Sequence, residues 1–241
     1  MGDLVISLDS VSKIYRQGQK ETLGLDAVTL HIQEKEFVVV RGPSGSGKTT
    51  LLVLIAGLLR PSQGVITVNQ QNLERLNSQQ KAAFRARNVG FVFQMFHLVP
   101  YLSVLENVLL GTGQRETEKT RSVNLLESLG LGEKLSSLPA ELSAGEQQRT
   151  AVARALISNP KIILADEPTG NLDPVSAQTV LDHLDQFQKG GGTVILASHS
   201  DLADRYANRL VHLKQGRISE GLSVTADEED RKGNPAGTPQ S

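Results

Sequence analysis

The chain has 241 residues, of which 39% are hydrophobic and 21% are charged, and its formal net charge is −1. These values are ordinary for a globular domain, and without a basic excess we expect no nucleic-acid partner. Cysteine is absent, which excludes disulfides and thiolate metal sites.

In chain order, the first apolar segments have the composition of strands. Residues 4–8 and 27–32 are predicted strands, with an alternating pattern in the second. The polar stretch between them, residues 16–22, is predicted to be a hairpin loop. An apolar, branched run at 37–40 predicts a strand buried on both faces, and residues 50–56 predict a buried helix.

The middle of the chain changes character. Residues 65–68 and 89–93 are predicted strands, and residues 77–87 a polar helix. From 103 to 130 the apolar pattern is helical, and a second helix is predicted from about 143 to 158. This block predicts a helical subdomain, at about 94–159, inserted into an α/β core.

The core resumes with predicted strands at 162–165, 193–198 and 210–213 and a helix from 174 to 189. Residues 221–241 are polar and rich in Gly, Pro, Asp and Glu, which predicts a disordered tail. We therefore expect one domain over residues 1–220, with its core at about 1–93 and 160–218. The chain start lacks a signal-peptide pattern, and the longest apolar run is too short to span a bilayer, so a membrane role would need a partner.

One stretch carries a specific phosphate-binding pattern, G-x-x-x-x-G-K-[ST]. Its residues are Gly42, Pro43, Ser44, Gly45, Ser46, Gly47, Lys48 and Thr49. The predicted strand before it and helix after it are the required context, since glycines let backbone N–H groups turn onto phosphate oxygens at a helix N-terminus. A chance glycine-rich turn is the alternative. The context favours binding of a nucleoside triphosphate, in which Lys48 would contact the phosphates and the Thr49 hydroxyl would ligate Mg²⁺.

Four predicted strands each end in a distinctive polar feature: the phosphate loop, Gln94, the pair Asp166 and Glu167, and His199. If the strands are parallel, these features converge, because ligands bind outside the carboxyl ends of such strands. Asp166 suits a Mg²⁺ contact, and Glu167 can deprotonate an attacking water. The alternative is that the acids only cap a strand. Gln94 and His199, taken alone, are as easily structural.

A helix start is predicted at Ser143, because Glu146 three residues later completes a capping box. The simplest interpretation is a well-capped helix. The same geometry, with Gly145 beside it, would also bind an anion.

Together these residues resemble the ATP-binding cassette of ABC transporters. The 42–49 loop resembles its Walker A motif, Gln94 its Q-loop and residues 142–146 its signature motif. Residues 162–167 resemble Walker B, 171–173 the D-loop and His199 the switch histidine, with Tyr15 at the place of the aromatic that stacks on adenine. Order and rough spacing fit from about Leu4 to Ile218. The stretch at 93–108 resembles a narrower group of lipoprotein-releasing, macrolide-exporting and cell-division cassettes.

The resemblance implies an α/β fold: a P-loop NTPase core with a mainly parallel sheet, an N-terminal antiparallel β subdomain and an inserted helical subdomain. It also implies an ATPase using ATP and Mg²⁺, with Glu167 as general base and His199 and Gln94 as further catalytic residues. Thr49, Gln94 and Asp166 would hold Mg²⁺. Nucleotide would be bound by Tyr15, by the loop with Thr50, and by Ser143, Ala144, Gly145, Glu146 and Asp173.

A dimer is also implied, with each ATP between the phosphate loop of one subunit and the Ser143 region of the other, and Asp173 across the interface. One departure is Ala144, where the family signature has glycine. The backbone N–H remains, and alanine accepts helical geometry well. A retained site is expected, although the extra methyl could slow turnover.

Three functions compete. The first is the energising subunit of a membrane transporter or mechanotransmission complex, used for export or extraction. It would form a homodimer of cassettes and bind an integral membrane permease on the cytoplasmic, inner face of the cell membrane. The second is a soluble cassette ATPase acting on ribosomes or DNA, which usually has two cassettes or a long coiled coil. The third, a small-molecule kinase, leaves residues 142–146 unexplained. The sequence favours the first.

Overall fold

The computed structural model of the protein describes residues 3–113 and 116–219. The predicted disordered tail, 221–241, lies outside the described residues. The strands are β1 (Leu4–Gln17), β2 (Lys20–Gln33), β3 (Phe37–Arg41), β4 (Gln63–Val68), β5 (Gln71–Asn72), β6 (Val89–Val92), β7 (Ile162–Asp166), β8 (Thr193–Ala197), β9 (Arg209–Lys214) and β10 (Arg217–Ser219).

Helices connect and cover these strands. The α-helices are α1 (Lys48–Ile55), α2 (Ser78–Asn88), α3 (Val104–Leu109), α4 (Lys119–Ser128), α5 (Ala144–Leu156), α6 (Pro174–Lys189) and α7 (Asp201–Asp204). Short 3₁₀ turns lie at Leu73–Arg75, Leu110–Thr112, Glu116–Glu118, Gly132–Lys134 and Pro139–Glu141. Within the described ranges, no helix has the length and hydrophobicity that a membrane-spanning segment requires.

Two sheets form the framework. The first is antiparallel, in the order β2-β1-β4-β5. The second has the order β10-β9-β3-β8-β7-β6, and its strands are parallel except for the edge strand β10. This arrangement confirms the predicted α/β fold. All five parallel strands end at one edge of the sheet, which is where a ligand site is expected.

The first hairpin is longer than the sequence predicts. The interval predicted as a hairpin loop, residues 16–22, lies largely in strand, because β1 runs to Gln17 and β2 starts at Lys20. The ladder contains irregularities, and Ser10 and Ala27 have positive φ. Such bulges break the two-residue periodicity from which strands are predicted, so the pattern identifies only part of each strand.

The parallel sheet is buried on both faces, as its apolar strands predict. Val38 and Val40 of β3 pack with α1 and the antiparallel sheet in one cluster. Phe37 and Val39 point the other way, into a cluster formed with α5 and α6. Alternate residues of β3 therefore pack against opposite faces of the sheet. The two packed layers hold the carboxyl edge of the sheet in place.

The helical segment has a small core of its own, made by side chains from α3, α4 and α5 and the intervening turns. The predicted helical stretch from 103 to 130 is split into α3 and α4 by 3₁₀ turns. Asn107 is fully buried. Its Oδ1 accepts a hydrogen bond from the Val99 N–H, and its Nδ2 donates to the carbonyls of Val99, Leu102 and Ser103. It therefore orders the loop before α3. The limits of the helical subdomain, 94 and 159, remain a prediction.

Candidate functional site

The structure brings together the polar features that end four parallel strands. The loop after β3, Gln94 after β6, Asp166 and Glu167 at the end of β7, and His199 after β8 all line one cleft of about 560 Å³. Tyr15 of β1 lies at the same cleft. The parallel register of the strands accounts for this convergence, since their carboxyl ends meet at one edge.

The phosphate loop is packed tightly at two glycines. A Cβ on Gly42 would lie 2.1 Å from the Leu213 carbonyl oxygen, and one on Gly47 would lie 2.4 Å from the Gly24 carbonyl oxygen. Both residues also have positive φ, 156° and 108°. Only glycine fits such backbone-to-backbone contacts. The loop then enters α1 directly at Lys48, so its N–H groups and the helix N-terminus face one anion site.

Lys48 is nearly buried at the centre of this loop. Its Nζ donates to the Gly42 carbonyl at 2.8 Å and to the Pro43 carbonyl at 3.3 Å. It also lies 3.5 Å from Glu167 Oε1. The ammonium is thus held over the loop by groups that phosphate oxygens can replace.

Glu167 is held in a strained position at the floor of the cleft. Its φ is 46°, uncommon for a residue other than glycine, and its N–H donates to Ala197 O at 2.9 Å. Its side chain is 10% exposed, and Oε2 lies 2.8 Å from His199 Nδ1. The imidazole is itself 69% exposed. The pair joins a sheltered carboxylate to a histidine that faces the open cleft.

Asp166 is 5% exposed and hydrogen-bonds with the side chain of Thr49. Burial raises the pKa of this carboxyl above its ordinary value, the Thr49 hydrogen bond opposes the shift, and the nearby Glu167 adds to it. Across the described residues, no three His, Cys, Asp or Glu side chains cluster as a metal site. One carboxylate beside a hydroxyl suits Mg²⁺, which usually takes few protein ligands and completes its shell with phosphate and water.

The open side of the cleft is formed by the first hairpin. The Tyr15 hydroxyl lies 3.1 Å from Thr50 Oγ1, and a Cβ on Gly24 would lie 2.7 Å from the tyrosine ring. Thr22, Leu23 and Gly24 of β2 also line the cleft. Sequence reasoning missed these three residues. They reach the cleft because Thr22 lies opposite Tyr15 in the ladder between β1 and β2.

A second group of predicted site residues lies outside this cleft. Ser143 caps α5: its Oγ accepts from Glu146 N at 3.2 Å, and Glu146 Oε2 accepts from Ser143 N at 2.8 Å. The hydrogen bond from the Ser143 N–H lowers the pKa of Glu146. The predicted capping box is therefore present. Ala144 is exposed, so its methyl is accommodated. Gly145 packs against α6, where a Cβ would lie 2.7 Å from Ser176 Oγ.

Asp173 also has a local role. Its Oδ1 accepts from the N–H groups of Val175 and Ser176, each at 3.0 Å, and so caps α6. Like the Ser143 region, it does not line the cleft. The structure thus separates the predicted site residues into two groups, one around the phosphate loop and one at the starts of α5 and α6.

Arg154 of α5 is a further residue that sequence reasoning missed. It donates to the carbonyls of His97 at 2.6 Å and Phe96 at 2.9 Å, and burial lowers its pKa. The loop that begins at Gln94 is therefore held by α5, the helix that Ser143 caps.

Comparison with known proteins gives consistent similarities. A family model described as ABC transporter matches residues 25–170. The lipoprotein-releasing system ATP-binding protein LolD 2 of Caulobacter vibrioides is 41% identical over 224 residues, covering 90% of this chain and 98% of that protein. The macrolide export ATP-binding/permease protein MacB of Rhodopirellula baltica is 40% identical over 234 residues, covering 94% of this chain and 34% of that protein.

A solved structure is also similar. The dimeric structure of the ATP-binding cassette MJ0796 bound to ADP and Pi, described as a post-hydrolysis state, has a TM-score of 0.87 and 34% identity. The match covers 92% of this chain and 99% of that one.

Replacing Asp166 by Asn should stabilise the nucleotide-free protein. Because its pKa is raised on folding, the charged carboxylate destabilises the folded state at neutral pH, and this cost disappears as the pH falls toward 3.8. Asp166→Asn should raise the Tm at pH 7.5, and its difference from the wild-type Tm should shrink as the pH is lowered. Differential scanning calorimetry at several pH values measures it. Asp9→Asn, at an exposed site, is the control. An unchanged or lower Tm for Asp166→Asn would contradict the burial argument.

Proposed function

This chain belongs to the ABC transporter family as an ATP-binding subunit, and we propose that it binds and hydrolyses ATP in the cleft at the carboxyl edge of its parallel sheet. The protein is an ATPase. The observation that carries the residue assignment is the convergence of Lys48, Glu167 and His199 around the phosphate loop. The transporter relatives favour this function over action on ribosomes or DNA.

Nucleotide binding follows from the groups around the loop. Its N–H groups and the N-terminus of α1 would hold the phosphates, and Lys48 would exchange its two carbonyl partners for phosphate oxygens. The Tyr15 ring, held by its contact with Thr50, would stack on the adenine. Thr22 and Leu23 would line the same side of the base.

Mg²⁺ fits the oxygen donors beside the loop. The Thr49 hydroxyl and the Asp166 carboxylate already contact each other, and the Gln94 amide oxygen lines the same cleft. When bound, the ion would neutralise charge on the phosphate oxygens. The cost of burying the Asp166 carboxylate supports a role for its charge.

Hydrolysis requires a base near the terminal phosphate. Glu167 would accept a proton from water as the water oxygen attacks the γ-phosphorus, and the bond from that phosphorus to the β-phosphate oxygen breaks. His199, in contact with Glu167 and open to the cleft, would orient the carboxylate and hydrogen-bond the transferred phosphoryl group. Gln94, which lines the same cleft, would hydrogen-bond the attacking water and help to orient it.

The residues outside the cleft would complete the site in a homodimer. The capped start of α5 would offer backbone N–H groups to an anion, yet it does not line the cleft of its own chain. Ser143, Ala144 and Gly145 of one subunit would therefore meet the ATP held by the phosphate loop of the other. Asp173 would lie at the interface. Dimeric structures of the similar cassette MJ0796 support this assembly.

A membrane permease would be the second partner. The chain matches about one third of MacB, a protein named as both ATP-binding and permease, and its LolD relative is named for releasing lipoproteins. We infer export or extraction, with the chain on the inner face of the membrane through its partner. The contact would be the loop at residues 95–102, where Met95 is 70% and Tyr101 is 79% exposed.

Glu167→Gln should bind ATP and lose about 10²–10⁴-fold in kcat, because the general base is removed while the shape of the side chain is kept. A phosphate-release assay measures the rate, and fluorescent-nucleotide titration measures binding. Glu36→Gln, a partly buried glutamate before β3, is the matched control and should retain wild-type turnover. Near-normal turnover of Glu167→Gln would exclude it as the base.

A mixture of two inactive variants should regain activity if the site is shared. Lys48→Ala disables the phosphate-loop half, and Ser143→Arg blocks the opposite half by bulk. In a mixed dimer both defects fall in one site, which leaves the other site intact. Phosphate release from the mixture measures the recovery. Mixing Lys48→Ala with Glu167→Gln should recover nothing, because both changes lie in the same half. A mixture of the first pair that is as inactive as this control would contradict a shared site.

The loop at 95–102 should be needed for membrane recruitment. Met95→Asp and Tyr101→Asp place charge on exposed apolar side chains, so folding and ATP binding should be kept. Co-sedimentation with membranes from the native cell should fall to background. Leu4→Asp, at another exposed apolar residue, should leave recruitment unchanged. Full recruitment of both loop variants would place the contact elsewhere.

A further inference from the structure

Arg41 makes a set of contacts that the proposed mechanism does not use. It is the last residue of β3 and directly precedes the phosphate loop. Its side chain is 14% exposed and reaches across to the segment after β8, more than 150 residues away in the chain.

The guanidinium contacts three groups of this segment. Nε donates to Asp204 Oδ1 at 2.8 Å, and Nη2 donates to Asp204 Oδ2, which makes a two-point contact with one carboxylate. Nη2 also donates to Asp201 Oδ1 at 3.0 Å. Nη1 donates to the backbone carbonyl of His199 at 2.7 Å. Only the planar fork of arginine can make all these contacts at once.

These contacts begin where the backbone ladder between β3 and β8 ends. The last ladder pair is Val40 with Ala197, followed by a bond from Ser198 N to Val40 O at 3.2 Å. The next residue, His199, has left the ladder. Its carbonyl is held by the Arg41 side chain, so the guanidinium continues the connection between the strands one residue further.

The residues after His199 are anchored through the short helix α7, whose Ala203 is buried in the core. His199 itself lies between this anchor and β8: its carbonyl accepts from Arg41, and its ring is largely exposed, with Glu167 beside it at 2.8 Å. The position of the imidazole therefore depends on how firmly its backbone is held.

We propose that Arg41 is a positioning residue for ATP hydrolysis: it ties the backbone of His199 to the phosphate loop, so that the imidazole stays aligned with Glu167 and the terminal phosphate. Asp204 and Asp201 hold the guanidinium in the orientation that reaches the His199 carbonyl. This inference rests on the proposed function of Glu167 and His199.

Removing the link should lower kcat while leaving ATP binding. Arg41→Met keeps an unbranched side chain of similar reach without the fork, and kcat should fall about 10- to 100-fold, as expected for a small misplacement of a reacting group. The KM for ATP should stay within about threefold, because the loop contacts are unchanged. Asp204→Asn should give the same pattern more weakly. Arg41→Lys should not restore kcat, because lysine lacks the fork.

Arg209→Met is the matched control. Arg209 is the first residue of β9 and therefore lies toward the amino ends of the parallel strands, away from the cleft. Like Arg41, it contacts a backbone carbonyl, that of His31, and a carboxylate, that of Glu36. It should lose stability at most, with wild-type kcat. Thermal melts of both arginine variants separate a loss of folding from a loss of positioning.

Two readouts report on His199 itself. In NMR spectra, the imidazole signal of His199 should shift in Arg41→Met and stay unchanged in Arg209→Met. In single-turnover assays, Arg41→Met should cause no further loss in a His199→Ala background, because the link then has nothing to position.

The proposal is overturned if Arg41→Met matches Arg209→Met in kcat and in the His199 signal, or if its loss of kcat persists in the His199→Ala background. If Arg41→Met does not fold, Arg41→Lys and Asp204→Asn decide by the same readouts. A wild-type protein without ATPase activity, or a fully active Glu167→Gln, would instead remove the proposed function. The His199 signal would still decide whether Arg41 positions the ring.

Discussion

The close packing of the phosphate loop is the constraint on which the rest of the site depends. Gly42 and Gly47 lie against the carbonyls of Leu213 and Gly24, leaving no room for a Cβ at either place. The Gly216 N–H also donates to the Ser46 carbonyl at 2.9 Å. The loop is thereby fixed between the antiparallel and the parallel sheets. Lys48 can then lie both over the loop carbonyls and near Glu167, which belongs to another strand.

Much of this arrangement could be predicted from the sequence, because its signals are local or depend on one topological rule. The 42–49 loop is identified by the spacing of its glycines, lysine and threonine. The apolar runs before Asp166 and His199 indicate strands, and the ends of these strands must meet if the strands are parallel. The capping box at Ser143 needs only residues three apart. Family membership is confirmed by the matching model and by relatives that span nearly the whole chain.

What could not be predicted depends on contacts between distant residues or on broken periodicity. The bulges near Ser10 and Ala27 hide the length of β1 and β2, and with it the place of Thr22 and Leu23 in the cleft. Arg41 shows no sequence pattern, since its partners lie about 160 positions later. The division of the site residues into two groups is implied by the family resemblance alone, because all the motifs appear in one series along the sequence.

The central proposal builds on that division: the two groups of one chain would face different nucleotides in the dimer. The absence of cysteine allows a direct measurement, because Ser44→Cys and Ala144→Cys, both at exposed positions, introduce the only thiols. In a Glu167→Gln background, a short bismaleimide should give a covalent dimer on denaturing gels with ATP, and little with ADP or without nucleotide. Cross-linking within single chains, or no covalent dimer at saturating ATP, would contradict a nucleotide site shared between two subunits.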